Sequence, residues 1–209
     1  MFFDCLDQQV QAMIPFIKDG IAQGDRSLML IEGRQFGAWK QALELHGVDV
    51  HASIEAGKLS FRANSKWLQP DEFNSIRMAR RVWEAVERSL ERHSTVRVIA
   101  DLGWTLEAGV TSDQVCHWEA TLDCLLSPDI PAKVICMYDR RRLPLESLHA
   151  ALRTHPAVIA GESTSANPYY EAPAILEHEP FLNECSGDAL TVGRMLGEFI
   201  GASDATFAR

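Results

Sequence analysis

The sequence lacks both common phosphate cradles. A phosphate-binding loop needs GxxxxGK[ST], because consecutive backbone N–H groups wrap the phosphates while the lysine and hydroxyl reach the terminal phosphate and magnesium. Gly57-Lys58 comes nearest, but Ala52 stands at the earlier glycine position and Leu59 replaces the hydroxyl. Gly33-Arg34-Gln35-Phe36-Gly37, after the 27–32 run, lacks the lysine and the Ser/Thr in place, and no GxGxxG occurs. The GxSxG elbow and the HExxH spacing of familiar hydrolases are also absent. No run approaches the roughly 18 apolar residues of a membrane span. The start MFFDCLDQQV has no basic region leading into an apolar stretch, so a cytoplasmic protein is expected. Basic residues are in deficit, 20 against 29 acidic, and the net charge of −9 argues against a nucleic-acid partner. The five cysteines, Cys5, Cys116, Cys124, Cys136 and Cys185, are widely spaced with no CxxC, which indicates neither a disulfide framework nor a zinc site. No cofactor is implied.

What is present is an ordinary globular composition, 46% hydrophobic and 23% charged over 209 residues, enough for one well-buried domain and a short appendage. Short apolar runs alternate with longer amphipathic segments, the pattern of βαβ units and a mostly parallel sheet. Strands are predicted over 27–32, 59–63, 96–101, 133–138 and 157–160, with Phe2-Phe3 as the stub of another. Several runs are apolar without strict alternation, as expected where helices cover both faces. Helices are predicted over 8–22, 34–46, 71–93, 112–126 and 144–154. In the third, Ile76, Ala79, Trp83, Val86 and Leu90 recur at spacings of 3 and 4 and form one stripe. The fold class is therefore α/β, three layers, with a mostly parallel sheet flanked by helices. After Tyr170 the pattern changes: 171–185 carries two prolines and four glutamates and reads as a linker, and 188–200 reads as an amphipathic helix.

Candidate polar contacts gather at strand ends. The run Val96-Arg97-Val98-Ile99-Ala100-Asp101 has the form of the magnesium-positioning strand of nucleotide hydrolases, and the carboxyl ends of parallel strands are where ligands bind in open α/β sheets. Trp104, three residues on, could form an aromatic wall. Tyr138-Asp139 ends the next strand, so Asp101 and Asp139 would project from one edge to bind a cation or move protons, or would serve as separate caps. Trp118 reads as core and Glu119 as solvated or salt-bridged. Cys136 reads as a buried small hydrophobe. His155-Pro156 and Asn167-Pro168-Tyr169-Tyr170 flank the last strand and its polar loop over 161–166; the tyrosines either close over a pocket or pack the loop back on the sheet. The run Arg140-Arg141-Arg142 could hold a phosphate, or is a solvated loop.

In this order, Val10–Gly24 with 25–32, Val96-Arg97-Val98-Ile99-Ala100-Asp101-Leu102-Gly103-Trp104, Trp118-Glu119, Tyr138-Asp139, Leu152-Arg153-Thr154-His155-Pro156 and Asn167-Pro168-Tyr169-Tyr170 resemble the MEDS domain, the methanogen/methylotroph, DcmR sensory domain. The resemblance spans roughly 2–170, leaving 171–209 as linker and C-terminal helix. It implies a relative of RecA- and KaiC-like domains that has lost the phosphate loop and serves as a non-catalytic input module. The sequence departs from the family at its start, where a fuller strand carrying a histidine is usual and Met1-Phe2-Phe3 stands here. The implied partner is a protein, such as a histidine kinase, an anti-sigma module or a transcription regulator. A small-molecule ligand and a homodimer are also within the expectation. The ligand-contact residues expected are Asp101, Trp104, Tyr138, Asp139, His155 and Tyr169. The alternative is a residual nucleotide-binding, RecA-like NTPase using Asp101 for magnesium and Arg140–Arg142 for phosphate.

Overall fold

The structure is a computed structural model and describes residues 1–63, 73–126, 129–161 and 163–172. The strands are β1 (Phe2–Phe3), β2 (Arg26–Ile31), β3 (Leu59–Ala63), β4 (Val96–Asp101), β5 (Ala132–Asp139), β6 (Ala157–Ala160) and β7 (Ser163–Ala166). They form one sheet in the order β3-β2-β4-β5-β1-β6-β7. Every pairing is parallel except that of β6 with β7. The helices among the described residues are α1 (Leu6–Gln23), α2 (Phe36–Leu45), α3 (Val50–Glu55), α4 (Ser75–Leu90), α5 (Trp104–Glu107), α6 (Ser112–Leu125) and α7 (Leu145–Thr154). None is long and apolar enough to cross a membrane.

Successive residues of a strand point to opposite faces, and here each face has its own core. Leu28, Leu30, Val98, Ala100, Cys136 and Tyr138 meet α4, α6 and α7 on one side, while Met29, Ile31, Ile99 and Met137 meet α1 and α2 on the other. This two-sided burial is why the strands show unbroken apolar runs. It also decides which polar side chains can meet.

Local signals set the helix ends. The Gly24 backbone closes α1 at φ 83°, a left-handed conformation that glycine adopts without steric cost. Asn74 accepts from the Arg77 N–H at 2.9 Å to start α4. Thr111 and Gln114 form a reciprocal capping box at the start of α6.

The predicted architecture is borne out, with local corrections. The helix expected over 71–93 begins at Ser75, and its first residues lie outside the described set. Its buried stripe is rotated from the expected one: Met78, Ala79, Val82 and Val86 are buried, whereas Ile76 is 56% exposed. The loop expected over 161–166 contains β7, and α3 and α5 were not foreseen. The linker expected over 171–185 is described only at Glu171 and Ala172, and the helix expected over 188–200 lies outside the described residues.

Candidate functional site

The six expected contact residues do not form one site, because the sheet separates them. Asp101 ends β4 facing α1 and is only 2% exposed. Its Oδ1 accepts from the Gly103 N–H at 2.8 Å and its Oδ2 from Gln9 Nε2, on α1, at 3.2 Å. Burial raises its pKa, with the Gly103 and Gln9 hydrogen bonds opposing. Chain direction across the sheet reverses between β2 and β4, the switch point where α/β sheets often hold ligands. This crevice is filled from within. Glu32, just beyond β2, pairs with Arg34 and with Arg142, the latter at 3.1 Å, and Arg142 reaches Glu107 at 3.5 Å. A Cβ on Gly103 would stand 3.1 to 3.3 Å from Asp101, Arg142 and Glu32 at once, so glycine is what lets the three converge.

Asp139 does share this edge, since β4 and β5 are adjacent and parallel and both carboxylates act on Arg142. Its Oδ1 accepts from the Arg141 N–H at 2.9 Å, which is a capping contact. Of the arginine run, Arg140 pairs with Asp4 and Arg142 with Glu32.

The other face holds a different cluster. Cys136 and Tyr138, two apart on β5, point toward α6 and the end of α7. There the Tyr138 hydroxyl donates to Glu119 Oε1, and the Thr154 hydroxyl donates to Glu119 Oε2 at 2.8 Å. His155 Nε2 lies 3.8 Å from Glu119 Oε1, and its ring packs edge-on against Tyr138 at 5.8 Å. His155 Nδ1 sits 2.8 Å from the Ala151 carbonyl. A carbonyl can only accept, so Nδ1 carries the proton and Nε2 of the neutral ring presents its lone pair to Glu119. A cavity of about 210 Å³ opens beside this cluster, lined by Glu119, Cys136, Thr154 and His155 together with Asp123 and Ala132.

Burial dominates the electrostatics here. It raises the Glu119 carboxyl from 4.5 to about 7, lowers His155 from 6.5 to about 4 and raises the Cys136 thiol. At neutral pH the imidazole is uncharged and the carboxyl is poised to lose its proton. Such a set can ligate, donate and accept within a few ångströms.

A strap from beyond β6 holds the cluster in place. Asn167 Nδ2 donates to the Leu152 carbonyl at 2.6 Å and to the His155 carbonyl at 2.7 Å, pinning the His155-Pro156 turn. The Tyr170 hydroxyl donates to Asp123 Oδ2 at 2.8 Å, and Arg153 holds Glu171 with two bonds of 2.7 and 2.8 Å. Tyr169 packs against the same core, as does Trp104, which meets Trp118 edge-on and Phe73 at a tilt, with ring centroids 6.2 Å apart in each case.

The structure thus joins Tyr138 and His155 and adds Glu119, Cys136 and Thr154, none of them expected contacts. Glu119 was expected to be solvated or salt-bridged; it is 4% exposed, with hydroxyl donors from Tyr138 and Thr154 and the neutral His155 ring beside it. One signal pointed inward: Val115, Glu119 and Leu122 recur at spacings of 4 and 3, which places the glutamate on the buried stripe. Likewise Cys136 and Tyr138, at i and i+2 on a strand, had to share a face.

A second, larger cleft of about 770 Å³ lies between β2, β3 and α4, with Arg26, Arg62, Arg88 and Arg92 in its wall. Its wall also holds Glu91 and His93, but among the described residues no group of three ligating side chains gathers there.

The family model described as MEDS, the methanogen/methylotroph, DcmR sensory domain, matches residues 1–156. No curated protein matches the chain.

Proposed function

We propose that this chain, which belongs to the MEDS family of sensory domains, is a non-catalytic module that takes up a small-molecule signal in the cavity between α6, β5 and the end of α7. It relays that event to a protein partner such as a histidine kinase, an anti-sigma module or a transcription regulator. The observation that carries this reading is the convergence of Glu119, Cys136 and His155 on one cavity of about 210 Å³. That volume lies below the roughly 300 Å³ at which drug-sized pockets begin, so the ligand is small.

The route outward runs through the strap. Asp123 lines the cavity and also holds Tyr170, so a ligand that competes for Asp123 frees the strap. A ligand shifts an equilibrium only by its differential affinity for two states, and the Tyr170 and Glu171 contacts are the ones that differ between a clasped and a released strap. The residual-NTPase reading has no comparable support, because the Asp101 oxygens accept from Gly103 and Gln9 and two of the three arginines of the basic run, Arg140 and Arg142, are ion-paired.

The test is partner capture from the native cell, with and without a small-molecule extract of that cell, using wild type and Ala132→Phe. The phenylalanine fills the cavity from the β5 side. The extract is expected to change capture by wild type and to leave Ala132→Phe unresponsive. An equal response from both places the signal site elsewhere. Calorimetry with ATP and GTP in magnesium is expected to show no binding, and turnover of either would favour the NTPase reading.

A further inference from the structure

We infer that Glu119, Cys136 and His155 bind one divalent ion of the Zn²⁺ or Co²⁺ type, with its open coordination position facing the cavity. This inference rests on the cavity being the signal site and names how the signal would be held: a donor atom of the ligand takes the fourth position on the ion.

A carboxylate oxygen of Glu119, the sulfur of Cys136 and a ring nitrogen of His155 all lie within 4.8 Å of one another. Among the described residues, no other group of three or more such side chains comes together in this way. Ligands around a tetrahedral ion, with bonds of about 2.0 to 2.3 Å, stand roughly 3.3 to 3.8 Å apart. The His155 Nε2 to Glu119 Oε1 distance of 3.8 Å already fits, and movements of about 1 Å would close the rest.

The outer contacts have the form that ligating groups require. A metal-bound histidine donates its other ring nitrogen to a fixed acceptor, and here Nδ1 reaches the Ala151 carbonyl at 2.8 Å while Asn167 fixes the backbone of the same residue. The Glu119 carboxylate is aimed by Tyr138 and Thr154. One sulfur, one nitrogen and one oxygen form a borderline-soft set, suited to zinc or cobalt rather than to magnesium or calcium. Charge also balances: a thiolate and a carboxylate around a divalent ion make a neutral unit, which a buried site tolerates far better than two bare anions. Three protein ligands beside a cavity match the open type of site, in which the fourth position is left to water or a ligand. The ligands are 17 and 19 residues apart, which is why no CxxC-type spacing announced them.

The experiment is a Co²⁺ titration of the full chain after chelator treatment, followed by absorption spectroscopy. Wild type is expected to saturate at one equivalent with a thiolate-to-cobalt charge-transfer band and the intense visible bands of a four-coordinate ion, and Zn²⁺ is expected to bleach both. Cys136→Ser is expected to lose the charge-transfer band, and His155→Gln to bind at least about tenfold more weakly. Near-UV circular dichroism identifies variants that fold, so either one suffices. Folded wild type without a charge-transfer band at one equivalent would overturn the inference. So would a band that persists in Cys136→Ser, since the thiolate would then be another cysteine. The capture test with Ala132→Phe reads the cavity with no metal added, so the signal site and the metal site fail separately.

Discussion

Arg97 is the second residue of a strand whose six residues are all buried, and it faces α1. Its Nε donates to Asp25 at 2.7 Å and its Nη1 to the Phe16 carbonyl at 2.7 Å, and the guanidinium lies 4.7 Å from the Phe16 ring. Gly20 makes room for it, because a Cβ there would stand 2.7 Å from Arg97 Cδ and Nε. Removing one partner of a buried pair leaves an uncompensated charge, so Asp25→Ala is expected to cost about 3–5 kcal/mol in urea denaturation. A loss below about 1 kcal/mol would mean that the pair is reached by water. Glu119 and His155 give a second expectation, in chelator-treated protein. Glu119 ionises near 4.5 when unfolded and near 7 when folded, so the folded state holds the extra proton in that window and stability falls as pH rises. His155 ionises near 6.5 unfolded and near 4 folded, so there the unfolded state holds the extra proton and stability rises with pH. In wild type the two oppose each other below about pH 6, and the buried Met1 amino group, lowered from 8.0 to about 6, adds a rising slope above that. His155→Gln is expected to expose the falling slope, on the order of 3 kcal/mol across the window, and Glu119→Gln the rising one, smaller because the histidine ring is partly exposed. Parallel profiles in the two variants would contradict this pairing of charges.

At the level of elements, the strap around Asn167 is the part that couples the cluster to the rest of the chain. Asn167→Ala removes two hydrogen bonds to carbonyls at the end of α7, about 1–3 kcal/mol, and should raise amide exchange in 163–172 while β4 and β5 stay protected. Unchanged exchange in the strap would show that the β6–β7 pairing, the Tyr170–Asp123 bond and the Arg153–Glu171 pair hold it without Asn167. The elements also show what could be read from the chain. The core strands β2, β4 and β5 were legible because apolar burial on both faces leaves continuous runs. β7 was not, since all four of its residues are exposed and carry no apolar alternation. The rotation of the α4 stripe has a similar cause: Ile76 fits helical spacing, but it sits in the first turn, where tertiary contacts rather than periodicity decide the buried side.

At the scale of the whole molecule, the sheet is a partition. Strand ends with polar residues were legible individually, yet whether they meet depends on the face each one takes, and that is fixed by register and by which helix lies above it. Asp101 and Tyr138 sit near the ends of adjacent strands and face opposite cores. One face has closed its crevice with its own side chains, and the other keeps a cavity beside a glutamate, a cysteine and a histidine. The proposed signal site therefore lies on the α6–β5–α7 side, and the Asp101 side is filled by its own side chains. Native mass spectrometry of gently purified protein tests this most directly, comparing wild type with Glu119→Gln and Asp101→Asn. Wild type and Asp101→Asn are expected to carry the same non-covalently bound mass, and Glu119→Gln to lose it; loss in folded Asp101→Asn with retention in Glu119→Gln would contradict the account.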